Sequence, residues 1–402
     1  MNVIGVVCEY NPFHRGHLLH LERCRAALEG ESAVLCVLSG DFVQRGEAAV
    51  YDKFIRAEAA CRGGADLVIE LPLPWALSSA EGFARGAVGL LGALGATHLG
   101  FGSETGETAP LQKLARALLE EKTIEQIRER MAREGNLSFA AAREQVLRER
   151  LGDQARLLRN PNDILAVEYL KAAAEQRLSL CPLAVRREGA GHDDAAAGAG
   201  PCSASELRRR LRAGESLEGE IPEAAEAVYA RARAEGRELK DPALLEIAVL
   251  SRLRMLEREA FERLPDGGEG LGLRLWKAVQ EERSLEEIAQ AAKSKRYALA
   301  RLRRMCLAAA LGLDWKSAKG LPPYARVLAF SERGQTLLRE ADENSLIPLL
   351  TKPARVRQLD EEAERVFCLG AGAHDLYALG LPAQEKPGED WRRGPVRMIK
   401  EH

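Results

Sequence analysis

Three common signatures are missing from this chain of 402 residues: paired cysteines, a glycine-rich phosphate loop and an apolar run of membrane length. Its eight cysteines are scattered at Cys8, Cys24, Cys36, Cys61, Cys181, Cys202, Cys306 and Cys368, with no C-x-x-C pair. That spacing argues against zinc ribbons and a disulfide framework and points to a reducing cytoplasm. No apolar run approaches the roughly 20 residues of a membrane span. The first residues read as a strand rather than as a charged-then-apolar signal peptide. Neither G-x-x-x-x-G-K-[ST] nor a G-x-G-x-x-G after a strand occurs. Charge of one sign is also missing, with 58 Lys and Arg against 60 Asp and Glu and a net charge of −2. A nucleic-acid partner would therefore have to be met by a local basic patch. No internal repeat is visible. The length allows two or three domains, and an apolar fraction of 46% can fill a core.

The chemistry concentrates in one stretch near the start, Val7-Cys8-Glu9-Tyr10-Asn11-Pro12-Phe13-His14-Arg15-Gly16-His17-Leu18-Leu19-His20. Val3 to Val7 is a short β-branched run, the pattern of a buried parallel strand. Asn11-Pro12 ends it. From His17 onward Leu18, Leu21, Cys24 and Leu28 recur at helical spacing. His14 and His17 therefore lie where a strand turns into a helix, and a helix start presents free N–H groups and a positive dipole end to phosphate. Phosphoryl-type transfer needs positioning and charge stabilisation rather than a protein nucleophile. Two plainer alternatives stand beside this one: a helix-start pair with local hydrogen bonds, or two metal ligands without the usual zinc motif.

Residues 1 to about 110 alternate strand and helix patterns. Strands are expected at Ala33–Leu38, Asp66–Leu71 and Thr97–Gly102, with helices around Tyr51–Arg62 and Ser78–Leu94. Such alternation predicts a parallel sheet with helices on both faces and ligands beyond the carboxyl ends of its strands. A helical run is expected over 107–175, with a capping box at Thr123 and Gln126. Asn160-Pro161-Asn162-Asp163 starts a further helix, with Asn162 or Asp163 as N-cap. Strand character returns at Leu178–Val185. A Gly/Ala loop from Glu188 to Gly200 follows, either a plain insert or a lid. Ser203 and Glu206 form a capping box, which places Arg208 near the loop end of its helix.

Beyond about 215 the pattern is mainly helical. Helix starts are expected at Asp241-Pro242 and at Ser284 with Glu287. The strongest basic cluster is Lys293, Lys295, Arg296, Tyr297, Arg301 and Arg304. Cations beside an aromatic ring suit RNA, though an amphipathic helix with a basic polar face explains them equally. A short strand is expected at Pro323–Phe330, helices at Ser331–Glu340 and Asp360–Leu379, and a tail over the last ~20 residues. The division this suggests is an α/β Rossmann-like domain over 1–213, with a helical insertion near 107–175, and a mainly helical region over 214–402.

The run His14-Arg15-Gly16-His17 after a first strand resembles the His-x-Gly-His signature of the nucleotidylyltransferase superfamily. The wider set is more specific. Glu9-Tyr10-Asn11-Pro12-Phe13-His14-Arg15-Gly16-His17, Ser39-Gly40-Asp41-Phe42-Val43-Gln44-Arg45-Gly46, Ala65–Pro72, Phe101-Gly102-Ser103-Glu104, Asn162-Asp163-Ile164-Leu165 and Arg187 before the glycine loop together resemble the tRNA(Met) cytidine acetate ligases. The similarity implies a ligase that uses ATP to make acetyl-adenylate. It would then acetylate N4 of the wobble cytidine of elongator tRNA(Met). By the same similarity, Val7 through His20, Gly102, Asn162, Arg187, Ser203 and Arg208 bind ATP, with His14 and His17 stabilising charge on its phosphates. Gly191 stands where that family carries an aromatic before His192. Mg2+ is expected with the ATP phosphates, near Asp41 or Glu104. Residues 214–402, with the basic cluster at 293–304, would hold the tRNA. Two other readings fit the fold: an adenylyltransferase for a small-molecule acceptor, and a non-catalytic RNA-binding protein.

Overall fold

The computed structural model describes residues 1–135, 137–187, 202–314, 316–318 and 320–398. The Gly189–Gly200 loop and His192 lie outside them. Among the described residues ten strands occur in chain order: β1 Asn2–Cys8, β2 Ser32–Ser39, β3 Phe42–Val43, β4 Glu47–Ala48, β5 Leu67–Leu71, β6 His98–Ser103, β7 Cys181–Arg186, β8 Ala325–Ser331, β9 Leu349–Leu350 and β10 Val396–Met398. The main sheet runs β10-β8-β5-β2-β1-β6-β7, with β9 on the outer side of β8. From β5 to β7 every pairing is parallel. β8 joins β5 antiparallel.

The Rossmann-like parallel sheet expected from the sequence is present. β2 is buried at all eight positions, as an apolar strand covered by helices on both faces must be. Chain order runs outward from β1 through β2 and β5, then crosses back to β6 and β7. The switch point therefore lies between β1 and β6, where ligands bind in sheets of this kind.

Several expectations need correction. The sheet does not stop at residue 213, because β8, β9 and β10 come from the C-terminal region. Residues 389–398, expected as part of a tail, are not one. Helix Glu389–Arg392 and strand β10 pack onto the sheet, and Asp390 is fully buried. A buried charge holds them: Asp390 Oδ2 meets Lys53 Nζ at 2.6 Å and Arg326 Nη1 at 2.7 Å. Thr123 is inside helix Glu121–Glu134, not at its cap. Asn160 is the N-cap of helix Pro161–Glu175, since Pro161 suits the first helical position. Pro242, not Asp241, caps helix Ala243–Arg254, although Asp241 still accepts from the Ala243 N–H. Ser203 and Ser284 cap as expected, accepting from Glu206 and Glu287 N–H groups, but the reciprocal half of each capping box is replaced: Glu206 pairs with Arg209 and Arg210, and Glu287 with Arg283.

Candidate active site

A cleft of about 840 Å³ opens at the switch point. Its floor is the end of β1 and the loop after it, from Val6 to Asn11. His14, Gly16, His17, Leu19 and His20 line it, as do Gly102, Asn162, Arg187, Ser203 and Arg208. Residues spread over 200 positions of sequence are thus brought to one place. Pro12, Phe13, Arg15 and Leu18 belong to the same loop and helix but do not line the cleft. Phe13 is a fully buried anchor of the loop.

His14 is the N-cap of helix Arg15–Ala26. Its Nδ1 accepts from the Gly16 N–H at 3.0 Å, and the His17 Nδ1 accepts from the His14 N–H at 3.3 Å. The local-hydrogen-bond alternative is therefore correct, and it has a chemical consequence. A backbone N–H can only donate, so each Nδ1 must be an acceptor and the proton of each neutral ring sits on Nε2. The rings lie 3.8 Å apart. Burial, with Arg187 nearby, lowers the His14 pKa to about 4. Burial and His14 lower that of His17 as well. Burial brings His20 to about 4. At neutral pH the pair is two uncharged rings with fixed Nε2–H donors.

The helix start itself differs from expectation, because its first N–H groups are occupied. Arg15 donates to the Glu220 carbonyl at 2.9 Å, Gly16 to His14 Nδ1, and His17 to the His14 carbonyl at 2.9 Å. The dipole end remains, but hydrogen bonding to an anion falls to the imidazole Nε2–H groups and to arginine.

One chain of contacts in the lining fixes three of the expected residues. Arg187 Nη1 donates to Asn162 Oδ1 at 2.8 Å, and Asn162 Nδ2 donates to Glu104 Oε1 at 2.7 Å. Glu104 also accepts the Asn162 and Asp163 N–H groups, so it caps the Pro161–Glu175 helix from outside. Asp163 accepts from the Ser103 hydroxyl and the Glu104 N–H. A Cβ on Gly102 would sit 3.3 Å from the Arg187 side chain, so glycine leaves room for that arginine. Arg208 donates to the Asn11 carbonyl at 3.0 Å and pairs with Glu47 at 2.8 Å. Asn11 accepts from the Val50 N–H, while its buried Nδ2 has no hydrogen-bond partner among the described residues.

Asp41 is not at the cleft. It is buried against His374 at 2.8 Å and accepts from the Lys53 N–H. Although burial alone would raise it, the His374 cation holds its pKa well below the usual carboxylate range. Cys8 Sγ donates to the Val37 carbonyl, and burial raises its pKa, so it remains an inert thiol.

Several positioning residues had no signal in the sequence. Fully buried Arg56 donates to the carbonyls of Tyr51, Glu9, Ser39 and Gly40, joining the loops after β1 and β2. The Tyr229 hydroxyl accepts from the Phe13 N–H at 2.8 Å from 216 residues away. Phe83, Leu165 and Tyr169 add apolar and aromatic wall to the cleft. No local pattern marks them, since each acts through a contact distant in sequence.

The basic cluster is less open than its sequence suggests. Lys293 and Lys295 are exposed. Arg296 pairs with Glu269 at 3.2 Å, and Arg301 pairs with Asp266 at 3.4 Å while stacking 4.9 Å from the centre of the Tyr297 ring. Arg304 is buried and donates to the Gln44 carbonyl at 3.1 Å. Its place is therefore inside, against the β3–β4 hairpin. A Cβ on Gly46 would lie 2.5 Å from the Arg304 backbone, so helix Leu299–Ala310 touches the hairpin whose Gln44 and Arg45 line the cleft.

A switch-point cleft with two neutral histidines at a helix start defines a nucleotidyl-transferring class. A family model described as HIGH Nucleotidyl Transferase matches residues 1–390. Among curated relatives, the tRNA(Met) cytidine acetate ligase of Fervidobacterium nodosum is 35% identical, with 99% of this chain and all of the relative covered. That of Syntrophotalea carbinolica is 40% identical over 89% of this chain and 86% of the relative. The crystal structure of apo Thermotoga maritima TmcAL matches all of both chains at 30% identity with a TM-score of 0.93. The same protein bound with alpha-thio ATP matches at a TM-score of 0.91. The chain belongs to the tRNA(Met) cytidine acetate ligase family of the HIGH nucleotidyl transferases.

Proposed function

We propose that this protein is an ATP-dependent ligase that activates acetate as acetyl-adenylate and transfers the acetyl group to N4 of the wobble cytidine of elongator tRNA(Met). The observation that carries the reading is the His14–His17 pair, with two Nε2–H donors fixed at a helix start in the switch-point cleft. Full-length likeness to ligases of that name supports it, as does likeness to a neighbour bound with alpha-thio ATP.

In this mechanism acetate attacks the α-phosphorus of ATP and pyrophosphate leaves. The His14 and His17 Nε2–H groups donate to oxygens on which charge builds, in a cleft where fixed donors outperform water. Their neutrality suits this role, since each donates without being able to quench the charge by proton transfer. Arg187, oriented by Asn162, and Arg208, held by Asn11 and Glu47, supply positive charge to the phosphates. Gly102 and Asn162 flank the nucleoside. The cytidine amine then attacks the acetyl carbon and AMP leaves.

Mg2+ enters the proposal with ATP. The described residues offer it no group of three His, Cys, Asp or Glu side chains. Glu104 is occupied by the Asn162 amide and two backbone N–H groups, and Asp41 by His374. No step is therefore routed through the ion. The tRNA is placed on residues 214–402, with exposed Lys293 and Lys295 as its first phosphate contacts. A cytoplasmic setting belongs to the same proposal and agrees with eight unpaired cysteines. No described helix is long and apolar enough to cross a membrane.

The test supplies labelled acetate, ATP and unmodified elongator tRNA(Met). The ligase yields N4-acetylcytidine, AMP and pyrophosphate, and His14→Asn does not. Pyrophosphate release onto a small-molecule acceptor, with no label in tRNA, would instead favour an adenylyltransferase.

A further inference from the structure

The lining of the cleft is of two chemical kinds. The histidines, Arg187 and Arg208 are equipment for phosphate. The remainder includes Glu9 just after β1, within electrostatic reach of Arg45, Arg208 and Tyr169, together with Phe83 from helix Ala80–Ala93 and Leu165 and Tyr169 from helix Pro161–Glu175. Glu9 is held firmly. Its carbonyl accepts from Arg56, and its Oε1 accepts from the Gln44 N–H at 2.8 Å. Its other oxygen, Oε2, has no hydrogen-bond partner among the described residues.

A carboxylate oxygen left open among aromatic walls is a poor seat for acetate, which carries the same charge. It is a good seat for a planar base with an exocyclic amine. A carboxylate accepts from cytosine N4, whereas uracil presents an acceptor at that position and is rejected. Aromatic rings take an unstacked base on their faces.

We propose that Glu9 is the catalytic base of the transfer step, and that Glu9, Tyr169, Phe83 and Leu165 form the seat of the wobble cytosine. This rests on the ligase reading above. As the N4–C bond to the acetyl carbon forms, Glu9 Oε2 takes one N4 proton. The acetyl C–O bond to phosphate breaks, and AMP leaves with its electron pair. Glu9 then releases the proton to water. Burial raises the Glu9 pKa more than the Gln44 N–H, Arg45 and Arg208 lower it, and Glu47 adds to the rise, which favours a base that must accept a proton near neutrality.

The test separates the two half-reactions in Glu9→Gln. The amide oxygen still accepts from Gln44, so the fold and the hairpin are preserved. Acetyl transfer to tRNA from supplied acetyl-adenylate should fall about 100-fold or more, the usual contribution of a general base. Acetate-dependent ATP–pyrophosphate exchange, measured with tRNA present, should fall far less than transfer does. The wild-type transfer rate should decline as pH falls through the Glu9 pKa, and Glu9→Gln should lose that limb. Glu9→Asp should recover part of the rate, and Tyr169→Leu should raise the KM for tRNA more than it lowers kcat. Wild-type transfer by Glu9→Gln, or an equal loss of exchange and transfer, would overturn the proposal. A wild-type protein that makes no N4-acetylcytidine would instead remove the ligase reading on which it rests.

Discussion

Two buried polar constellations flank the loop after β2, and they are built on opposite principles. The cleft holds His14, His17, Glu9, Asn11 and Arg208, with Asn11 Nδ2 and Glu9 Oε2 lacking hydrogen-bond partners among the described residues. In the second set Lys53, Glu70, Arg326, Asp390, Asp41 and His374 pair with one another, although Asp390 Oδ1 and His374 Nε2 are buried without a hydrogen-bond partner among the described residues. Lys53 Nζ lies 2.8 Å from Glu70 and 2.6 Å from Asp390, and Arg326 meets both carboxylates. In the first set the histidines are neutral, because burial and the Arg187 cation outweigh the pull of Glu220 on His14. In the second, burial is outweighed: Asp41 raises the His374 pKa to about 10 against its desolvation. An open set is available to a ligand. The paired set fastens strands of the C-terminal region onto the nucleotide-binding sheet.

The comparison breaks most sharply at Asp390. Asp390→Ala leaves Lys53 and Arg326 buried without that anion and should lower stability by about 3–5 kcal/mol. Urea denaturation measures this, while turnover per folded molecule should stay close to wild type. His14→Asn should do the reverse. Asparagine keeps the N-cap acceptor, so stability should change by less than about 1 kcal/mol. Loss of the Nε2–H should lower turnover about 100- to 1000-fold. A large stability loss with normal turnover would make His14 a cap only.

Proton linkage sharpens the contrast, because the two sets respond to opposite ends of the pH scale. The folded pKa of His374 is raised, so its stabilisation is fully present below about 6.5 and is lost as pH rises toward about 10. The slope approaches about 1.4 kcal/mol per pH unit, and His374→Gln should flatten it in denaturation curves measured from pH 6 to 10. His14 and His20 have lowered pKa values, so the stability they allow is complete above about 6.5 and is lost as pH falls toward about 4. The smallest effect is expected outside both sets. Lys293→Ala with Lys295→Ala should weaken tRNA binding several-fold and reduce the slope of log affinity against log salt by about 1 to 2. Stability should not change.

The residues of the cleft were largely readable in advance where a local rule governed them. The β1 run, the break at Asn11-Pro12 and the helical spacing after His17 placed His14 at a helix start. Ser203 capped its helix as its motif required, and β2, β5 and β6 fell within a residue or two of expectation. Expectation failed where a distant partner decided the outcome. Asp41 looked like a cleft carboxylate until His374 was packed against it, and Arg304 looked like an RNA contact until the Gln44 carbonyl claimed it. The chain end looked like a tail because four helical residues and a three-residue strand carry almost no periodic signal.

Hydrophobic period, caps and the motif residues acted through neighbours three or four positions away, so the amino-acid order alone was enough to specify the parallel sheet, the helix start at His14 and the family. Tertiary structure alone decided which polar groups are open and which are closed. The imidazole tautomers, the free oxygen of Glu9, the four carbonyls on Arg56 and the seat of Asp390 each depend on partners that only folding brings within hydrogen-bonding distance. Their charge states follow from burial and from those partners, neither of which has a signature in local sequence.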